Sequence, residues 1–157
     1  MFTAKEPNKH NQQVTKRRRE IIGAALKVFA DKGYAGSTIA DVGSAARMSP
    51  GLLYHYFPGK EALLKAVIES QSFLPQVIEI VQLNSGLPVS DFLKTLAVNF
   101  YHLLGERAEL MSIFLREGRS NDTVRLAWQK LLSSGMRLIK AYFDAQIAAG
   151  RLRQHNT

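Results

Sequence analysis

Apolar residues recur along this 157-residue chain at spacings of three and four, and no stretch alternates apolar with polar at the period of two that a half-buried strand needs. The pattern predicts helices throughout. Residues 1–15, with Pro7, Asn8, Asn11, Gln12 and Gln13, hold too few apolar side chains to order themselves and read as a flexible tail. Ile21, Ile22, Ala25, Leu26, Phe29 and Ala30 then mark a first helix from about Thr15 to Lys32, with Gly33 as its C-cap. Thr38 suits an N-cap and Asp41 lies three residues on, a start resembling a capping box; Ile39, Val42, Ala45 and Ala46 form the apolar face of a helix over 39–46. Ser49 is the next N-cap. Pro50 falls at the first helical position, where its missing N–H costs nothing, and this third helix stops before Pro58-Gly59. A fourth begins near Lys60, carries Leu63, Leu64, Val67 and Ile68 on one face, and should kink or end at Pro75.

Asn84-Ser85-Gly86-Leu87-Pro88 breaks the pattern. Ser90 is expected to cap a helix through Phe92, Leu96, Phe100 and Leu104, and a shorter one follows over 108–117 with Leu110, Met111, Phe114 and Leu115 apolar. After a second break at Gly118–Asn121, Asp122 is expected to cap a long helix ending at Gly150. In it Val124, Leu126, Trp128, Leu131, Leu132, Leu138, Ile139, Tyr142, Phe143 and Ile147 lie on several sides, so burial on several sides is expected.

Charge narrows the partner. The net charge is +8, and residues 1–70 hold 11 Lys/Arg against 6 Asp/Glu, so +5 of it lies in the N-terminal part. A basic half suits a polyanion, nucleic acid being the commonest soluble one, although basic surfaces are also often simply solvated. There is no cysteine, which removes disulfides, a thiolate nucleophile and Cys-based zinc sites. No secretory signal core and no apolar run of about 20 residues is present, so a soluble cytoplasmic protein without membrane contact is expected.

The short helix after Ser49 carries the candidate chemistry. Its length is close to the width of the B-DNA major groove, so its first turn can meet base edges while its flanks meet phosphates. Pro50, Gly51 and Leu52 in that turn are small or apolar, suited to close approach and to a thymine methyl. Gly51 weakens a helix by about 1 kcal/mol relative to alanine, which points to a need for closeness or to crowding beside the second helix. Tyr54 and His55 offer a hydroxyl and an imidazole to phosphate or base; core packing is the competing reading for Tyr54. Tyr56 and Phe57 read as core. Lys60 at the start of the fourth helix, and Thr38 and Ser49 at the starts of the second and third, sit where free N–H groups favour an anion. Lys16-Arg17-Arg18-Arg19 either tracks a backbone or forms a solvated first turn, and Arg47 either touches phosphate or points into water.

Taken together, Ser49-Pro50-Gly51-Leu52-Leu53-Tyr54-His55-Tyr56-Phe57 followed by Lys60-Glu61-Ala62-Leu63 resembles the recognition-helix signature of tetracycline-repressor-type (TetR family) transcriptional regulators. Ile21 to Ala30, Gly33-Tyr34 and Thr38-Ile39 resemble that family's first helix and its link to the helix-turn-helix, and the match covers about 16–70. The resemblance implies an all-α chain in which an N-terminal three-helix helix-turn-helix DNA-binding domain (16–76, motif about 39–58) joins a C-terminal helical effector and dimerisation bundle (77–157). It implies that Tyr54 and Lys60 clasp phosphates, and that a homodimeric repressor leaves a palindromic operator in double-stranded DNA when a small apolar or amphipathic effector binds. Phe100, Met111, Phe114, Trp128 and Tyr142 are the large side chains expected to line its pocket, each also a plain core candidate. Arg47 departs from the small residue usual in that turn. Family members usually continue past the segment resembling Ala149-Gly150-Arg151-Leu152-Arg153 into two further helices that supply most of the dimer interface. Here three readings stand: those helices are missing, the helix over 122–149 replaces them, or the chain does not dimerise as its relatives do.

Catalysis finds no support in the residues. There is no His-Glu-x-x-His, Walker loop, Gly-x-Gly-x-x-Gly or Gly-x-Ser-x-Gly, and His102 with Glu106 gives two potential ligands, too few for a metal site. No enzyme activity, cofactor or metal is expected. The alternatives are a basic helical interaction module and a sequence-indifferent DNA-binding protein without effector control.

Overall fold

The computed structural model describes residues 9–153, and among them every regular element is helical: α1 (Lys9–Lys32), α2 (Ile39–Ala46), α3 (Pro50–Tyr56), α4 (Lys60–Ser70), α5 (Leu74–Leu83), α6 (Val89–Glu106), α7 (Ala108–Glu117) and α8 (Asp122–Ala148). The expected all-α class is therefore observed. Contacts divide the chain into two compact units, one ending at Ser70 and the other beginning at Gln71.

In the first unit α1 is the spine. Ile21, Ala25, Leu26, Val28 and Phe29 are buried on its inner face, Val42 comes from α2, Leu53 from α3, Phe57 from the cap that ends α3, and Leu63, Leu64 and Val67 from α4. Side chains of this size contribute roughly 1.5–3 kcal/mol each when fully buried, far more than the short α2 and α3 gain from helix propensity. Helix α1 starts at Lys9 rather than near Thr15, which corrects the expected start. Extending a formed helix backward fixes one residue per hydrogen bond, and residues 11–15 contain no breaker; the Thr15 hydroxyl donates to the Asn11 carbonyl at 2.8 Å, one turn back. The remainder of the tail expected over 1–15, residues 1–8, lies outside the described residues. Gly33 closes α1 at φ 77, as its sequence position suggests.

In the second unit α5 and α8 pack together, with α6 and α7 completing the layer. Helix α4 stops at Ser70, ahead of Pro75, which instead occupies the first turn of α5 where a missing N–H is harmless. Two expected caps are corrected. Helix α6 starts at Val89 from the Pro88 carbonyl, which accepts from Asp91 and Phe92, so Ser90 is already inside the first turn. For α8 the cap is Asn121, whose side chain accepts from the Val124 N–H at 3.1 Å, with Asp122 one position further in. One cluster of this unit joins Val81, Phe92 and Tyr142, the last two rings stacked at 3.5 Å between centroids. Tyr142 donates to the Leu87 carbonyl at 3.1 Å, and the buried Gln146 accepts from the Arg151 guanidinium at 2.6 Å. The end of α8 is thereby tied to the 84–88 turn. Gly150, at φ 69, closes α8 in a Schellman pattern, with Arg151 N–H reaching the Gln146 carbonyl and Gly150 N–H the Ile147 carbonyl.

Candidate nucleic-acid interface

Two caps and one close approach set the helix-turn-helix. At the start of α2 the Thr38 hydroxyl accepts from the Asp41 N–H at 3.1 Å, while the Asp41 carboxylate accepts from the Thr38 N–H at 2.8 Å. The capping box suggested by the sequence is complete. The Lys32 ammonium pairs with the same carboxylate and, with the Thr38 hydroxyl and N–H, lowers the Asp41 pKa from 3.8 to about 2. At the start of α3 the Ser49 side chain accepts from the Leu52 N–H at 3.3 Å, and Pro50 opens the helix. Between them Gly43 lies so close to the turn that a Cβ there would sit 2.8 Å from the Met48 carbonyl oxygen and 3.3 Å from Leu53 Cδ1. Any larger residue would push α3 off α2.

Helix α3 turns one side inward and presents the rest. Leu53 is 1% exposed and Phe57 2%, whereas Leu52 is 43% and Tyr54 54% exposed, and Pro50, Gly51 and His55 are also exposed. A Leu and a Tyr left this open on a helix anchored by its neighbours form an apolar and hydrogen-bonding surface with nothing internal to cover it. Tyr54 is thus outside the core of this unit. At Gly51 a Cβ would meet nothing within 4 Å, so crowding by α2 is not the reason for glycine there.

The basic residues divide by task. Arg18 donates to the Tyr56 carbonyl at 3.1 Å and its guanidinium stacks 4.2 Å from the Phe57 ring centroid, stapling α1 to the end of α3. Arg17 pairs with Glu20, while Lys16 and Arg19 are exposed. Because α1 begins at Lys9, these four residues lie beyond its first turn. Lys60 donates to the Ser37 carbonyl at 2.6 Å and its ammonium lies 4.3 Å from the Tyr34 ring centroid; Tyr34 in turn donates to Glu61 at 2.7 Å. Lys60 thus fastens the start of α4 to the α1–α2 link. The Thr38 hydroxyl is likewise occupied, donating to Asp41 at 2.7 Å. The internal roles of Arg18 and Lys60 were not legible in the sequence, because their partners lie 38 and 23 positions away.

The large residues of the second unit separate into two groups. Phe100 and Trp128 line an apolar groove of about 400 Å³ between α5, α6 and α8, together with Phe73, Val77, Leu96 and Ile139. Phe114 lies one layer away with its ring against Trp128 at 4.9 Å, and Met111 is half-buried on α7 outside that lining. Tyr142 faces the Phe92 cluster instead, because its hydroxyl finds its acceptor at Leu87. No helix among the described residues is long and apolar enough to cross a membrane.

Comparison with known proteins accords with this geometry. Residues 21–67 match the family model described as bacterial regulatory proteins, tetR family. The chain is 30% identical over 110 residues to the HTH-type transcriptional regulator UidR of Escherichia coli (strain K12), covering 68% of this chain and 54% of that one. It is 26% identical over 156 residues to the HTH-type transcriptional repressor KstR2 of Rhodococcus jostii (strain RHA1), covering 87% and 74%. In fold it resembles a transcriptional regulator FadR from Bacillus subtilis in complex with stearoyl-CoA, with a TM-score of 0.68 at 22% identity over 88% of this chain and 75% of that one. The chain spans about half the length of UidR. Through the caps and turn of its helix-turn-helix, the segment 21–67 of this chain is that of the tetR family of bacterial regulatory proteins.

Proposed function

We propose that this chain is a sequence-specific DNA-binding transcriptional regulator, a cytoplasmic repressor rather than an enzyme, that engages a near-palindromic operator as a homodimer. The observation that carries the reading is the exposed first turn and outer face of α3, with Gly51, Leu52, Tyr54 and His55 open while Leu53 and Phe57 anchor the helix from behind. Pro50, Gly51 and Leu52 meet base edges, Tyr54 and His55 meet the flanking backbone, and the N-termini capped by Thr38 and Ser49 face phosphate. Lys60 offers its remaining donors to phosphate while holding the α1–α2 link. KstR2 is named a repressor, and that name supports the sign of regulation. The groove lined by Phe100 and Trp128 takes an effector, and its apolar walls suit an aliphatic chain like that of the stearoyl-CoA bound to the Bacillus subtilis FadR neighbour.

Selection of this protein against random duplex DNA at physiological salt, with sequencing of the retained fraction, tests the reading. An enriched inverted repeat is expected. Retention without any enriched sequence would reduce the chain to a sequence-indifferent DNA binder, and no retention would reject DNA as its partner.

A further inference from the structure

Three helices end on a residue with positive φ, and one of those residues is not glycine. Gly33 follows α1 and Gly150 follows α8, but α2 closes on Arg47 at φ 56, ψ 45, the sole non-glycine residue in the left-handed region among those described. The hydrogen bonds at α2 follow the same pattern as at α8: Met48 N–H reaches the Gly43 carbonyl at 2.8 Å and Arg47 N–H the Ser44 carbonyl at 3.2 Å. A side chain at such a position crowds its own backbone, which is why glycine is usual there. Arg47 is exposed, and among the described residues its guanidinium has no hydrogen bond, ion pair or ring contact.

We propose that Arg47 is a DNA-phosphate contact built into the turn, and that the strained backbone is kept because the guanidinium is needed outside the protein. This rests on the reading of α3 as a recognition helix. Between Thr38 and Pro58 there is no other lysine or arginine, so Arg47 is the helix-turn-helix motif's sole cation. It stands two residues before the Ser49 cap, at the same end of α3 as the exposed Pro50, Gly51 and Leu52. A duplex meeting that turn brings a phosphate past Arg47, and a guanidinium takes phosphate through two parallel N–H donors. Arg18 and Lys60, the cations nearest in role, already hold internal partners.

The test uses the duplex enriched by selection, with binding measured by fluorescence anisotropy across a salt series for the parent, Arg47→Gly, Arg47→Asn and Arg47→Lys. Glycine and asparagine both accept the left-handed backbone and lack the charge. Each should melt no lower than the parent, bind about tenfold more weakly, and flatten the slope of log affinity against log salt by about 0.9, with unchanged base preference. Arg47→Lys should keep the slope while losing part of the affinity. Parental affinity and slope in the glycine and asparagine variants would overturn the proposal, as would a lowered melting temperature or altered base preference. Failure of the parent to select any duplex would instead overturn the functional reading on which the proposal rests.

Discussion

Gly43 leaves almost no room for a side chain. With a Cβ forced to 2.8 Å from the Met48 carbonyl oxygen, Gly43→Ala should destabilise the protein by about 2 kcal/mol, read as a lowered urea midpoint with unchanged slope. Gly51→Ala, where a Cβ meets nothing, should leave the midpoint equal or raised and alter only DNA binding. Equal midpoints for the two variants would show that the turn can relax around position 43. In the second unit, Tyr142→Phe leaves the Leu87 carbonyl without its donor and should cost about 1 kcal/mol. Burial raises the Tyr142 pKa above 10, with Arg151 opposing. Its folded state therefore holds the proton longer than the unfolded chain does, and stability falls as pH rises beyond about 10. That loss should be smaller in the Tyr142→Phe variant.

At the scale of the element, α2 and α3 are too short to be stable alone, and each depends on its cap and on what it rests against. The capping box of α2 carries its own pH signature. Asp41 has a folded pKa of about 2 against 3.8, so its contribution is fully present above the unfolded value and is lost as pH falls towards 2. Stability curves of the parent and of Asp41→Asn should therefore converge as acid titrates the parent's carboxylate. Curves that stay parallel from pH 6 to pH 2 would remove Asp41 from this role. Element starts were legible at Thr38 and Ser49, where a side chain makes the cap, and off by one position at Asn121, where the neighbouring Asp122 is an equally good capping residue. They were misplaced where the backbone did so: Pro88 starts α6 through its carbonyl, and α1 runs back to Lys9 because nothing local stops it.

Across the whole molecule, α8 carries more apolar surface than this chain covers. Leu126, Leu132 and Met136 are 59%, 47% and 66% exposed, against the expectation that so apolar a helix is buried on several sides. Exposure on this scale suits self-association, so sedimentation should show a concentration-dependent dimer that Leu126→Lys, outside the groove lining, weakens. A monomer at every concentration would argue against the homodimer. Trp128, the chain's one tryptophan, lines the groove and reports on it. An apolar acyl chain entering should change its fluorescence, and Gly135→Leu, at a lining position where a Cβ meets nothing, should raise helix stability and block that change. An unaltered titration in the variant would place the ligand elsewhere.

By itself the sequence determined the helices, the caps at Thr38 and Ser49, the glycine that closes α1 and the place of the short helix after Ser49, because these depend on spacing and on side chains within a few residues of one another. Tertiary structure alone decided which of the candidate residues remain available. Tyr54 is open and Tyr142 closed, although both are tyrosines on helices, because one lies on the outer side of a helix anchored by Leu53 and Phe57 while the other stacks on Phe92 beside the Leu87 carbonyl. Arg18, Lys60 and Arg47 read alike as cations, yet two bind partners more than twenty residues away and the third occupies a strained turn with no partner among the described residues. A charge's availability is set by what the fold brings within about 3 Å of it, a distance that spacing along the chain does not encode.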